Sequence, residues 1–229
     1  GEWKVSSLQS STESTYQAGY YSGAPTPSVD TDKDVYTSTD GANYTRTLTT
    51  SSTASGSVTC INTWTGKINS YTFTFDKEGK WSSTSDITYS SFSNSCSVGT
   101  STCTRTRNEK TVSEGTWNFL GKIDSETKNK EEISLSYAKI TTTTTETNQC
   151  SSGTVTDTYT YTDTYGRNEF VSIWRITQLK NKEMKAMVET NSNSSGSEVI
   201  TSSIQGYNGS TYTNSKSTSK STGSYVLAQ

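Results

Sequence analysis

A nucleophile is the first chemistry to look for in a chain that carries 41 Ser and 44 Thr among its 229 residues. A hydroxyl attacks only when a neighbouring base takes its proton, and histidine is the usual base. This sequence has no His and no Gly-x-Ser-x-Gly elbow. A Ser–Lys arrangement would need no His, yet no serine is marked out for one. Glu131 and Glu132 are adjacent carboxylates close to Lys128 and Lys130. A glycosidase pair must face across a cleft with carboxyls about 5–10 Å apart, so these residues read instead as a solvated turn. Asp30, Asp32 and Asp34 alternate as in a calcium loop, where a hard cation collects carboxylate oxygens. Val35 occupies the position such a loop gives to Gly, and the closing Glu is missing. The expectation is a protein that is not an enzyme, with no metal site and no cofactor.

Cysteine is the other reactive type. Cys60, Cys96, Cys103 and Cys150 show no C-x-x-C spacing, and no His is present to complete a zinc site. An even number in a hydroxyl-rich, helix-poor chain points to disulfides and an oxidising compartment. Cys96–Cys103 is the expected bridge, because Cys-Ser-Val-Gly-Thr-Ser-Thr-Cys has the form of a hairpin tip. That leaves Cys60–Cys150. Loop entropy assigns the short bridge about 2.5 kcal/mol and the long one about 4.5 kcal/mol.

Elements must exist to position any of these groups. Leu, Ile, Val and Phe number only 32, a poverty that in other chains signals disorder. Disorder also needs a high net charge, and here the formal charge is −2. Five Trp, 14 Tyr and five Phe supply the missing apolar area, about 150–250 Å² for each ring buried. Thr, Tyr, Val, Ile and Trp fit a pleated, half-buried sheet. The near balance of 20 basic and 22 acidic residues leaves no footprint for nucleic acid. No apolar run reaches the ~18 residues of a membrane-spanning helix.

Period-two alternation recurs along the chain. Tyr71, Phe73 and Phe75 share one face, Lys77–Lys80 turns, and Trp81 opens a return strand. Trp117, Phe119 and Ile123 share a face, as do Ile133, Leu135 and Tyr137 after a charged turn. Asn168–Leu179 is apolar on both faces and is expected to be the most buried strand. Lys180–Lys182 then turns the chain into Glu183–Glu189. Successive antiparallel hairpins of this kind make an up-and-down meander. The stretches 21–34 and 191–222 are polar and break the pattern, so they are expected as loop-rich insertions, the second as a long loop or a pair of weakly specified strands. No second core is visible, and 1–229 reads as a single domain.

The order of four short segments carries a family resemblance. They are Gly1-Glu2-Trp3, then Phe73-Thr74-Phe75-Asp76-Lys77-Glu78-Gly79, Gly115-Thr116-Trp117, and Trp174-Arg175-Ile176-Thr177-Gln178-Leu179. This succession resembles the lipocalin-like domain of exported bacterial lipoproteins. The resemblance implies a lipocalin-like β-barrel at the periplasm, outer membrane or cell surface of a Gram-negative bacterium, reaching the membrane only through a lipid anchor ahead of residue 1. It implies that Trp3 closes one barrel end beside Arg175 and Trp174, with the guanidinium on an indole. It does not imply a known ligand.

Two readings of function follow. In the first, a hollow barrel holds a small apolar or amphipathic ligand in a mouth lined by Tyr71, Phe73, Phe75, Trp117 and Phe119. In the second, the barrel is solid and its polar loops bind another envelope protein or a glycan. Tyr16, Tyr20, Tyr21, Tyr36 and Tyr44 would serve either as a lid or as a contact surface. A third reading rests on Thr154, Thr156, Thr158, Thr160, Thr162 and Thr164, which line one strand face beside the run Thr141–Thr145. Regular threonine rows could order water as ice-binding surfaces do. That function needs the array repeated across several strands, and no repeat period is present, so an outward face with good strand propensity is the favoured reading.

Overall fold

Alternating side chains need a backbone with a repeat of two, and the chain answers with strands. The computed structural model describes residues 1–21, 28–52, 58–96, 104–120, 131–151, 153–180, 182–204 and 207–229, without the side chains of 17–21, 28, 58, 94 and 189–218. Among them there is no helix. The strands are β1 (Glu2–Tyr21), β2 (Ser28–Ser38), β3 (Asn43–Ser52), β4 (Val58–Phe75), β5 (Lys80–Asn94) and β6 (Thr104–Phe119). They continue as β7 (Glu131–Cys150), β8 (Gly153–Thr164), β9 (Val171–Lys180), β10 (Glu183–Ile204) and β11 (Tyr207–Ala228). All pairings are antiparallel. The predicted all-β antiparallel meander is therefore the architecture. Ten strands form a ring, β1 to β7 and then β9, β10 and β11 back to β1, with β8 attached to β7.

A shorter circuit tightens one end. Glu2, Trp3 and Lys4 pair directly with Thr74, Phe73 and Thr72, so β2 and β3 are bypassed and eight strands complete the turn. This end is called the base. Above it the sheet runs on and parts. β9 pairs with β7 from Glu131 to Ser136, and β8 takes over beside β7 from Lys139 to Cys150. β10 leaves β9 after Glu189 and pairs with β11 as far as Ile204. At about 3.3 Å per residue, the 22-residue β10 is about 70 Å long. Among the described residues no strand joins β8 to upper β10, so the upper half is an open sheet.

The structure corrects three expectations. The polar stretch 28–34 is not a loop but part of β2, and of the two alternatives for 191–222 the pair of strands is found, in β10 and β11; 22–27, 205 and 206 lie outside the described residues. Backbone hydrogen bonds to β1, β3 and each other hold them, and such bonds need no apolar period. β9 is not buried on both faces. Ser172, Trp174 and Ile176 are buried, whereas Leu179 is exposed and Asn168 sits before the strand in a left-handed turn. The expected disulfides Cys96–Cys103 and Cys60–Cys150 are replaced by Cys60–Cys96, with Cα atoms 5.3 Å apart. The register explains this pairing. Asn62 faces Asn94 across β4 and β5, so two residues further along each chain Cys60 meets Cys96. Closing a loop of separation 36 is worth about 4 kcal/mol in the loop-entropy model. Cys150 is also disulfide-bonded, and Cys103 lies outside the described residues.

The core sits at the base. Val5, Leu8, Phe73, Trp81, Ile133, Leu135, Trp174, Met184 and Leu227 are buried there. The Phe-x-Phe-Asp-x-x-Gly segment forms its β4–β5 hairpin. Asp76 Oδ1 accepts from the Lys80 amide at 2.7 Å, its carbonyl accepts from Trp117 Nε1 at 3.1 Å, and Gly79 supplies φ 79°. Gly115 allows β6 to approach β7: a Cβ there would lie 1.9 Å from the Ser136 carbonyl oxygen and 2.9 Å from the Trp81 indole nitrogen.

Candidate functional site

The five aromatics expected to line a ligand mouth pack against one another. Phe73 meets Trp174 edge-on at 4.9 Å, Trp174 stacks on Tyr225 at 5.1 Å, and Tyr71 stacks on Phe73 at 5.5 Å. Phe75 touches Trp117, and Trp117 touches Phe119. Only Phe119 is well exposed, at 61%. Burial raises the phenols of Tyr71 and Tyr225 above the ordinary tyrosine range, because charge is costly where water is absent. Burial pushes Tyr137, beside Tyr225, up to about 12.

A charged layer lies above these rings. Arg46 on β3 forks onto Asp34 of β2, with nitrogen–oxygen distances of 2.8, 3.1 and 3.2 Å. Its guanidinium lies 5.2 Å from the Tyr36 ring and 5.1 Å from Trp64. Trp64 packs on Phe92, and Arg105 covers Phe92 at 5.8 Å. Arg105 then pairs with Glu146 at 2.7 Å, and Arg107 bridges Glu146 and Glu109. Every charge in this layer has an opposite partner, which buried charges require. The space left among Trp64, Tyr89, Phe92, Arg105 and Arg107 is about 10 Å³, barely room for one water. Tyr36 and Tyr44 turn inward here and touch at 6.0 Å, and Tyr89 is pushed up to about 12 by burial and then by Glu109. Tyr16 is exposed, while the side chains of Tyr20 and Tyr21 lie outside the described set. The alternating aspartates thus lie on a strand, not in a loop, and Asp34 serves Arg46.

Open space is found on the outer face among the described residues. A groove of about 520 Å³ crosses the outer face of the base over β1, β11, β10, β9 and β7. Bulges at Val5–Ser7 and Lys185–Ala186 bend the strands beneath it. Gln9, Ser11, Thr222 and Ser224 line one side, and Ile173 and Met187 form an apolar strip. Glu132 and Arg175 lie at the other side, with Arg175 Nε donating to Glu132 Oε1 at 3.0 Å. Glu132 is 8% exposed. The terminal amino groups of Arg175 have no hydrogen-bond partner among the described residues, so they can serve a ligand. The site has cancelling charges, several hydroxyl and amide groups, and a thioether in the middle. It can hold a hydrogen-bonding ligand.

Sequence reasoning misplaced Arg175 and passed over Glu132 as a turn residue. Trp3 packs on the inner cluster and Arg175 points outward to Glu132, so the two do not meet. Trp174 is buried in the base against Phe73 and Tyr225. Only the β7–β9 register, which sets Glu132 opposite Arg175, reveals the pair.

The threonine rows are a continuous outer lattice. Thr141, Thr143, Thr145 and Thr147 bond across to Thr162, Thr160, Thr158 and Thr156 at 3.4, 3.1, 3.0 and 3.1 Å. No protein-family model matches the chain, and no curated protein matches it.

Proposed function

We propose that this chain is a non-enzymatic binding protein of the Gram-negative envelope, with a filled lipocalin-like barrel that recognises a glycan on its outer face. The observation that carries this reading is the packing of Tyr71, Phe73, Trp174 and Tyr225 where a hollow barrel would hold its ligand. The eight-strand circuit at the base supports the lipocalin-like description. The Cys60–Cys96 bridge suits an oxidising compartment outside the cytoplasm. A groove with balanced charge and many hydroxyl partners suits a polyhydroxylated ligand, whose own hydroxyls both donate and accept.

Binding of the intact chain to an array of envelope oligosaccharides tests this. Met187→Glu, at an exposed position in the groove, is expected to abolish retention without moving the unfolding midpoint. Retention unchanged by that substitution overturns the groove as the site. An apolar molecule held in native mass spectrometry overturns the filled barrel.

A further inference from the structure

We infer that the free edge of β8 pairs with β8 of a second copy, joining two open sheets across a twofold axis. The inference is independent of the groove and of any ligand. β8 pairs only with β7 among the described residues, and nearly every residue of Gly153–Thr164 is exposed. Val155, Tyr159 and Tyr161 are 59%, 52% and 65% exposed on the face that continues the ring interior. Natural sheets guard such edges with charged side chains, above all Lys, with Pro, a bulge or a very short strand, and Asp157 and Asp163 are the only charges on β8. β8 has 12 residues, contains no Lys, Arg or Pro, and follows β7 without a register shift.

The occupant follows from the sequence of the edge, Thr154-Val155-Thr156-Asp157-Thr158-Tyr159-Thr160-Tyr161-Thr162-Asp163-Thr164. A twofold contact must place a strand antiparallel to itself and be self-complementary. Thr156–Thr164 reads the same in both directions, which offers a register centred on Thr160. That register sets Asp157 against the partner's Asp163, and like charges directly opposite repel. Moving the axis to Tyr159 removes the clash. Thr154–Thr164 then pairs along its whole length, and every threonine faces a threonine. Tyr159 meets the partner's Tyr159, Asp157 meets the partner's Tyr161, and Val155 meets the partner's Asp163. Threonine pairs of this kind already join β7 to β8 at 3.0–3.4 Å. The ladder of backbone bonds supplies affinity, as in strand addition to an exposed edge.

Sedimentation equilibrium across the micromolar range is expected to show the wild-type chain at twice its monomer mass. Tyr159→Lys sets two ammonium groups together at the axis and is expected to weaken the dimer about tenfold or more. Facing Cα atoms in an antiparallel pair are about 4.5–5.5 Å apart, within disulfide reach. Tyr159→Cys is therefore expected to cross-link two chains on air oxidation, and Thr160→Cys to remain uncross-linked. A monomer at every concentration overturns the inference. So does a dimer indifferent to Tyr159→Lys, which would use another surface such as upper β10. Cross-linking through Thr160→Cys but not Tyr159→Cys overturns the assigned register.

Discussion

The base and the upper sheet are built from the same alternating strands, yet they are held in different ways. At the base, inward positions carry Phe73, Trp81, Leu135, Trp174 and Leu227, all buried, and eight strands close tightly around them. Higher on the same strands the inward positions carry hydroxyls. Thr12 bonds Ser221 at 2.8 Å, Ser14 bonds Ser219 at 3.1 Å, and Thr111 bonds Thr142 at 3.1 Å. Hydroxyl pairs hold neighbouring strands but bury little apolar area, so nothing draws opposite walls together. Where the rings end, the sheet opens. The Arg46–Asp34 and Arg107–Glu146 layer marks the change from one regime to the other.

Alkali should act most severely, on the base through Tyr137 and on the charged layer above it through Tyr89. Tyr89 and Tyr137 have phenols raised to about 12 in the fold, against about 10 in the unfolded chain. Their neutral forms stabilise the fold in full below pH ~10, and that contribution is lost as pH rises toward ~12, on the order of 5 kcal/mol for the two together. Tyrosinate absorbance against pH should therefore show a late step coinciding with loss of the near-ultraviolet dichroism. A single step with no unfolding would mean that both phenols are wet. Phe73→Ala should rank next. It removes a ring from the Trp174–Tyr225 stack and should cost about 3–5 kcal/mol in urea unfolding. A cost near 1 kcal/mol would show the base to be loosely packed. Thr145→Val on the outer lattice should shift the same transition by no more than ~0.5 kcal/mol, because its hydroxyl is exposed beside that of Thr158.

How much was legible depended on whether a feature lies within one hairpin or between distant strands. Tyr71-x-Phe73-x-Phe75 followed by Lys77–Gly79 announces its own turn, since side-chain period and turn chemistry are local. The strand at 28–34 was illegible, and 191–222 stayed undecided between a loop and a strand pair, because their partners, not their own apolar content, make them strands. Glu132 looked like half of a charged turn. It is the partner of Arg175 on a strand 43 residues away in sequence, and no local signal records that.

By itself the sequence determined that this is an all-β chain with an aromatic core, since residue propensity and a period of two are properties of each segment alone. It also pointed to disulfides, though it named the wrong pairs. Tertiary structure decided the rest. Register across β4 and β5 chose Cys60–Cys96, because a disulfide obeys the distance between Cα atoms and not the number of residues between them. The pairing of Trp3 with Phe73 closed eight strands around rings that pack on one another. The divergence of β8 from β10 turned a palindromic run of Thr, Tyr and Asp from one more strand into an edge able to meet its own copy.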